Sequence, residues 1–162
     1  MNWSPKSVIF WPTFTIVWAT DYATKRLAEA YLVPAHTPHR VLGNVVRFTL
    51  GHNPGAAMNM SLGAYSRVGF SLLTVFALAA CAVFYRKSPP AARLNALAIA
   101  MIAAGAVGNL TDRVLSHVGV VDFIDIGVGS VRFWTFNVAD ASLTCGAVLL
   151  ALVLSREDRA RA

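Results

Sequence analysis

Charged side chains are scarce in this chain: they make up 14% of its 162 residues, while 56% of the residues are hydrophobic. An ordinary soluble domain carries about 25% charged residues, so the shortage argues against a water-soluble fold. Cysteine is scarce as well, with only Cys81 and Cys145. Both stand inside apolar runs with no CxxC spacing and no neighbouring histidine, so we interpret them as small packing residues and not as metal ligands.

Several motifs of known hydrolases are missing. The chain contains no HExxH and no GxSxG, and its four histidines form no close pair suited to zinc. We therefore expect no metal and no cofactor, and we interpret His52 and His117 as solvated loop residues. The net charge is +6, but the basic residues are dispersed and form no aromatic and basic module of the kind that binds RNA or DNA. No nucleic acid partner is expected.

Long uncharged runs dominate the sequence instead. Residues 68–85 and 94–111 contain no Asp, Glu, Lys or Arg, and residues 133–155 contain only Asp140. A helix that crosses a bilayer needs about 20 apolar residues, so each run is long enough to span. A fourth run near the N-terminus can span only if its outer turn carries Asp21 and Lys25.

We predict an all-α integral membrane protein that forms a single membrane domain over residues 1–162. Its four transmembrane helices are predicted at about 7–31, 68–85, 94–110 and 136–155. Half of the 14 basic residues fall in the two tails and in the short turn around Ser88. The others are spread over the opposite side, which holds two long segments, about 32–67 and 111–135. Because positive charge concentrates in cytoplasmic segments, we expect both termini in the cytoplasm and both long segments outside it.

The two outer segments show strand patterns. Val45–Leu50 alternates apolar and polar residues and ends at a turn signal over residues 51–55. Val118–Ile126 and Val131–Phe133 flank a second turn at residues 127–130 and predict a hairpin. A small extracytoplasmic β-structure is therefore expected beside the helices.

Asp140 is the most conspicuous charge in the apolar part of the chain. It lies five residues inside the predicted fourth helix, about 7 Å below the outer end at 1.5 Å per residue. A charge buried in a bilayer costs at least ~2.5 kcal/mol at the centre and is functional by default. The alternative is an interfacial acid that pairs with an outer arginine such as Arg113.

Asp122 interrupts the apolar run Val120–Ile124. A functional and a structural role are equally open for it on this pattern alone. Asp125 falls on the opposite face of the predicted strand, and we interpret it as an exposed loop acid. If Asp122 and Asp140 approach each other, repulsion keeps one of them protonated while the other acts as a base. Such a pair can activate water against an amide and donate a hydrogen bond to the developing oxyanion.

Polar residues gather at the outer helix ends. Asn109, Asp112 and Arg113 share one face of the third helix, where we favour a structural ion pair for Asp112. Asp21 and Lys25 are spaced i, i+4 in the acid-first order, which predicts a structural salt bridge.

Five motifs occur in chain order along the predicted helices and outer segments. They are the Asp21/Lys25 pair, Asn53-Pro54-Gly55-Ala56-Ala57, the helix end Gly105–Arg113, Val121-Asp122-Phe123-Ile124 and Phe136-Asn137-Val138-Ala139-Asp140. Together they resemble the motif set of the bacterial lipoprotein signal peptidase family, also called signal peptidase II. The resemblance covers nearly the whole chain, from the first predicted helix to the fourth.

The resemblance implies a four-helix inner-membrane aspartyl endopeptidase with an extracytoplasmic β-cradle and lid. It removes signal peptides from diacylglyceryl-modified prolipoproteins just before the lipidated Cys, near the outer face of the membrane. By motif position, Asp122 and Asp140 are the expected catalytic pair. The positions that match the substrate site are Asn53, Gly105, Asn109, Arg113 and Asn137, with Asp21, Lys25 and Asp112 in supporting roles. We expect a monomer whose partners are these prolipoproteins and membrane lipids.

One departure from the family pattern concerns the lid. Met58, followed by Asn59-Met60-Ser61, stands where the family usually has Phe, which changes the expected lid packing and inhibitor binding more than the chemistry. Two other functions stay open. A small proton- or ion-coupled carrier also needs intramembrane acids, although carriers usually show repeats and midplane sites. A catalytically silent paralogue would bind lipidated peptides without cleaving them.

Overall fold

Four helices and a small antiparallel sheet make up the computed structural model, which describes residues 4–55 and 63–161. The helices are α1 (Pro5–Tyr31), α2 (Ser66–Lys87), α3 (Arg93–Leu115) and α4 (Val138–Arg161). The strands are β1 (His39–Leu42), β2 (Val46–Asn53), β3 (Val120–Val128) and β4 (Val131–Arg132), in the order β1-β2-β3-β4. A 3-10 helix, Gly63–Tyr65, precedes α2. Met58 and the three residues after it lie outside the described residues.

Three helices in the described part of the chain are long and apolar enough to cross a membrane: Ser66–Lys87, Arg93–Leu115 and Val138–Glu157. The first helix, α1, is not among them, since its second half carries Asp21, Lys25, Arg26 and Glu29. The chain is thus mostly helical with a small sheet, and three of the four predicted spans meet the requirement by length and composition.

Helix α3 lies at the centre and contacts the other three helices. Its buried positions are mostly alanine and glycine, and small residues let helices approach closely in lipid. One apolar cluster joins Phe10 of α1 to Ile99 and its alanine neighbours on α3. A second cluster joins Ala28 of α1 to Leu50, Val121 and Phe123 of the sheet, which fixes the sheet on the end of α1.

Hydrogen bonds hold the start of α1 and the end of α4 at the same end of the bundle. The Lys6 ammonium donates to the carbonyls of Tyr85 (2.8 Å) and Ser88 (2.7 Å), at the C-terminal end of α2. The Asn95 amide, near the start of α3, donates to Glu157 near the end of α4 (3.2 Å). The start of α1, the turn between α2 and α3 and the end of α4 therefore share one end of the bundle, and the sheet occupies the other.

Several element boundaries differ from those predicted. Strand β2 continues through Gly51, His52 and Asn53, which had been assigned to a turn, because they pair with Asp122, Val121 and Val120 of β3. Strand β1 was not predicted. Helix α3 extends one turn beyond the predicted end at residue 110, to Leu115.

Helix α4 begins two residues later than predicted. Phe136 forms a β-bridge with Ile124, so the chain is still extended at this point, and Val138 is the first helical residue. Asp140 consequently lies in the first turn of α4 and not about 7 Å inside it. The predicted depth of Asp140 was wrong because the bridge to β3 delays the helix.

Candidate active site

Asp122 lies on β3 between the neighbours Val121 and Phe123, which pack towards α1. Because side chains alternate along a strand, Asp122 points to the opposite face. Its Oδ1 accepts a hydrogen bond from Asn137 Nδ2 (2.7 Å) and its Oδ2 accepts one from Asn53 Nδ2 (3.2 Å). Burial, and next the negative charge of Asp140, raise the pKa of Asp122 to about 7, against the lowering effect of both hydrogen bonds and of Lys25.

Asp140 is held by a reciprocal cap at the start of α4. Asn137 Oδ1 accepts from the Asp140 backbone N–H (2.9 Å), and Asp140 Oδ2 accepts from the Asn137 backbone N–H (3.3 Å). Asp140 Oδ1 accepts a third bond, from Asn109 Nδ2 (2.7 Å). The Asp140 carboxyl group therefore lies at the N-terminal end of α4 and accepts from one backbone N–H and one side-chain amide.

Asn137 forms hydrogen bonds with both Asp122 and Asp140 but does not line their cavity. Its side chain is fully buried, and Nδ2 lies within hydrogen-bonding distance of Asp122 Oδ1 (2.7 Å), Asn109 Oδ1 (3.1 Å) and the Val121 carbonyl (3.2 Å). The same residue caps the helix that carries Asp140. One asparagine therefore sets the relative position of both carboxyl groups.

Both aspartates line one cavity of about 670 Å³. Its walls are the facing side of β2 and β3, the segment 133–136, and the neighbouring ends of α3 and α4. Apolar residues make up much of the lining: Leu50, Val120, Phe133, Trp134, Phe136 and Leu143. Of the residues predicted to bind substrate, Asn53, Asn109 and Arg113 line this cavity. Asn137 and Gly105 are not among the lining residues.

Two acids in one cavity, Asp122 buried and Asp140 half-buried, are held by asparagine side chains on a helical membrane scaffold, which agrees with the motifs of the sequence. A sequence model of the family described as signal peptidase (SPase) II matches residues 13–156. This chain belongs to the signal peptidase II family. The predicted resemblance is confirmed.

Relatives in the signal peptidase II family match most of the chain. The protein of Geobacillus kaustophilus named lipoprotein signal peptidase is 39% identical over 141 residues, 87% of this chain and 88% of that protein. The protein of the same name from Geobacter metallireducens is 38% identical over 152 residues, 90% of this chain and 92% of that protein.

Two solved structures, both described as bacterial membrane enzymes determined by the in meso method, share the fold. The structure at 2.3 Å resolution has a TM-score of 0.82 and 30% identity, and covers 93% of this chain and 89% of its own. The structure at 1.9 Å resolution has a TM-score of 0.77 and 32% identity, and covers 88% of this chain and 89% of its own.

Gly105 of this signal peptidase II chain packs two helices and does not line the cavity. A Cβ at this position would collide with the Ala139 carbonyl oxygen and lie 2.9 Å from Leu143 Cγ, both on α4. Gly105 was predicted to bind substrate, whereas the structure shows it in a packing contact between α3 and α4. The absent side chain lets α3 approach the turn that carries Asp140.

Arg113 faces the same cavity but does not form the ion pair that was considered for Asp140. Within residues 4–55 and 63–161 no ion pair joins these two side chains, and the Arg113 guanidinium instead donates to the Gly55 carbonyl (3.2 Å). Arg113 therefore ties the end of α3 to the segment that follows β2.

The predicted pair of Asp21 and Lys25 is confirmed, but it is buried and not interfacial. Lys25 is 1% exposed and Asp21 fully buried, with 2.8 Å between Nζ and Oδ2. Asp21 Oδ1 accepts from the backbone N–H of Ala139 (2.8 Å), a contact that sequence reasoning missed. The pair thus joins α1 to the first turn of α4, next to Asp140.

Asp112 forms the structural ion pairs expected of it. Its Oδ1 lies 3.0 Å from Arg26 and its Oδ2 3.0 Å from Lys25, and Oδ2 also accepts from the Val121 backbone N–H (3.2 Å). Asp112 therefore connects α3 to both α1 and β3. The role of Arg26 was not predicted, and no local spacing could have indicated a partner so distant in sequence.

The prediction that Asp125 is an exposed loop acid was wrong. Asp125 is 5% exposed and receives ion pairs from Arg47 (2.9 Å) and Arg132 (2.7 Å) and a hydrogen bond from Thr49 (3.2 Å). Burial alone would raise the pKa of Asp125, but the bonds from Arg132, Arg47 and Thr49 lower it below the ordinary value. Asp125 clamps three strands from the face opposite Asp122.

His52 is not a solvated loop residue either. It is part of β2, half-buried, with Nε2 3.6 Å from Glu29 Oε1 on α1. His117 is exposed, as predicted, and its Nδ1 lies 3.0 Å from the Arg67 guanidinium. In the described part of the chain no three His, Cys, Asp or Glu side chains are grouped so as to hold a metal ion.

Proposed function

We propose that this chain is an aspartyl endopeptidase that cleaves diacylglyceryl-modified prolipoproteins just before the lipidated Cys, with Asp122 and Asp140 as the catalytic pair. The observation that carries the proposal is the shared cavity, which both Asp122 and Asp140 line. Burial raises the pKa of Asp122 to about 7, and N–H donors surround Asp140. Two acids in such contrasting environments can divide the roles of acid and base.

The reaction follows from these environments. Ionised Asp140 takes a proton from water, whose oxygen bonds to the scissile carbonyl carbon while protonated Asp122 gives its proton to the carbonyl oxygen. In the resulting tetrahedral diol, the C–N bond breaks as Asp140 returns its proton to the leaving nitrogen. Asp122 recovers a proton from a diol hydroxyl as the carboxylic acid product forms. Atoms and charges balance without a cofactor.

The lining of the cavity supports a lipidated substrate. Phe133 and Trp134 are more than half and about half exposed, respectively, and together with Leu143 they line the cavity that contains Asp140. Exposed apolar side chains at a site of this kind favour an apolar ligand. A diacylglyceryl group on the residue after the scissile bond would place its acyl chains against this wall.

The proposal includes four membrane spans in one domain, with α1 as the fourth. Its 27 residues reach about 40 Å at 1.5 Å per residue, enough to cross the hydrocarbon core. Its Asp21 and Lys25 side chains are buried against protein, while Val8, Trp11 and Ile16 are exposed. Both termini would lie in the cytoplasm and the active site near the outer face of the inner membrane. A monomer in contact with membrane lipids holds every residue of the proposed site.

A cleavage assay tests the proposal. The purified protein is incubated with a peptide that carries a diacylglyceryl-modified Cys, and the products are identified by mass spectrometry. We expect cleavage at the bond before the modified Cys and none in the same peptide with an unmodified Cys. Binding without turnover would support the silent paralogue and overturn the proposal. The absence of both binding and turnover in folded protein would also overturn the proposal, and would favour the ion-coupled carrier.

A further inference from the structure

The buried ammonium of Lys25 has no direct contact with the proposed catalytic pair. Its Nζ donates a hydrogen bond to Asn109 Oδ1 (2.9 Å) and forms ion pairs with Asp21 Oδ2 (2.8 Å) and Asp112 Oδ2 (3.0 Å). An ammonium group can donate hydrogen bonds but cannot accept them. Lys25 also does not line the cavity. Apart from its charge, which lowers the pKa of Asp122, Lys25 can therefore affect the reaction only through one of these neighbours.

Asn109 is the neighbour that reaches the site. Its Oδ1 accepts from Lys25 and from Asn137 Nδ2 (3.1 Å), and its Nδ2 donates to Asp140 Oδ1 (2.7 Å). The reverse amide orientation would place the Asn109 amino group against two donors and its oxygen against a carboxylate. Because an ammonium can only donate, Lys25 excludes that orientation.

We propose that Lys25 is a positioning residue for the reaction, acting through Asn109. The ammonium holds the Asn109 oxygen, which obliges the amino group of Asn109 to face Asp140 and keeps that carboxylate in place as the base. Asn109 is then primarily a support of the catalytic pair and not a substrate ligand. This inference rests on the proposed function of the site.

An effect through orientation is separated from an effect through net charge when the local charge is kept constant. Lys25 contacts both Asp21 and Asp112, and Arg26 pairs with both Asp112 and Glu29. Removing Lys25 alone would leave Asp21 without a cation and endanger folding. Removing Lys25 and Asp21 together preserves the balance, and an asparagine at position 21 can still accept from the Ala139 N–H.

The test uses the charge-balanced double variant Lys25→Met/Asp21→Asn. We expect kcat to fall by about 10- to 100-fold, as for a misplaced catalytic group, while KM stays within about twofold because Lys25 is outside the cavity. Asn109→Leu should lower kcat at least as much. Adding the double variant to Asn109→Leu should lower kcat no further, because residues that act as one unit are non-additive.

Matched controls separate positioning from general destabilisation. Asp125→Asn/Arg47→Met removes another ion pair without changing the net charge, and Asn95→Leu removes another buried asparagine of α3; none of these residues lines the cavity. Each variant is first checked for monodispersity and thermal unfolding in detergent. The proposal is overturned if folded Lys25→Met/Asp21→Asn keeps kcat within about twofold, or if its loss multiplies with that of Asn109→Leu. Cleavage by the parent in the same assay shows that the proposed function stands independently of this result.

Discussion

At the residue scale, Asp122 combines two opposing influences that the structure separates. Burial and the charge of Asp140 favour its neutral form, whereas the amide groups of Asn53 and Asn137 favour its charged form. The first pair of influences is larger, so the pKa lies at about 7 and not near the ordinary carboxyl value. Below a pH of about 7, Asp122 therefore retains the proton that a general acid donates.

The rate of cleavage should fall as the pH rises through about 7, since Asp122 then loses the proton that it donates. Asn53→Ala should move this alkaline limb to higher pH, because the hydrogen bond from Asn53 stabilises the charged form and its loss raises the pKa. The measurement is kcat against pH in detergent micelles, with Arg40→Ala on β1 as the control. An alkaline limb that stays in place or moves to lower pH would refute the assignment.

Asp125 has the opposite electrostatic balance and a different expected role. Asp125→Asn should keep the parental kcat but lower the free energy of unfolding by about 2 kcal/mol or more, because two arginines lose a charged acceptor. Since the folded pKa of Asp125 is lowered, its contribution exists above the unfolded pKa and is lost as the pH falls through the folded pKa. Thermal unfolding near neutral pH and at lower pH measures the loss of stability and its pH dependence, and the cleavage assay measures kcat. A folded but inactive variant would contradict this role.

At the element scale, the length of the uncharged runs predicted the helices well. The strand boundaries were predicted less well, because they depend on pairing between distant segments. The ends of α2 lie within two residues of prediction, because arginine and lysine bound the apolar run. The start of α4 was missed because it depends on a bridge between Phe136 and Ile124. Strand β1 is four residues long, with a shifted register, and has no distinct pattern of its own.

The acids of the site were easier to predict than their supports. Asp122 and Asp140 stood out because charge is costly in an apolar run. The contact between Lys25 and Asn109 joins residues 84 positions apart, and no periodicity reports such a pair. The same holds for the bond between Asp21 and Ala139, at a separation of 118. Contacts between helices, and not propensity within them, complete the site.

The close contact of α3 with α4 gives a prediction for Gly105. Gly105→Val should reduce the yield of folded protein severely, because even a Cβ would collide with the Ala139 carbonyl. Ala151→Val, at an exposed position of α4, should leave the yield near the parental value. Monodisperse protein recovered from membranes is the quantity to compare. Equal recovery of both variants would show that the helices are not packed as described.

At the scale of the whole molecule, the start of α1, the end of α4 and the turn between α2 and α3 lie at the end of the bundle opposite the sheet. Cysteines introduced into a chain without Cys81 and Cys145 test which end faces the cytoplasm. Labelling of intact cells by an impermeant reagent should modify His36→Cys and His117→Cys, and should spare Ser88→Cys until the membrane is opened. Labelling of Ser88→Cys from outside would reverse the orientation.

The central claim is that Asp122 and Asp140 act together to cleave the peptide bond before a lipidated Cys. The most direct measurement is the cleavage rate of the diacylglyceryl peptide by Asp122→Asn, Asp140→Asn and the double variant, each shown to be folded. We predict a loss of about 10³-fold or more in each single variant, with the double variant scarcely worse. Near-parental cleavage by either single variant would contradict the aspartyl mechanism.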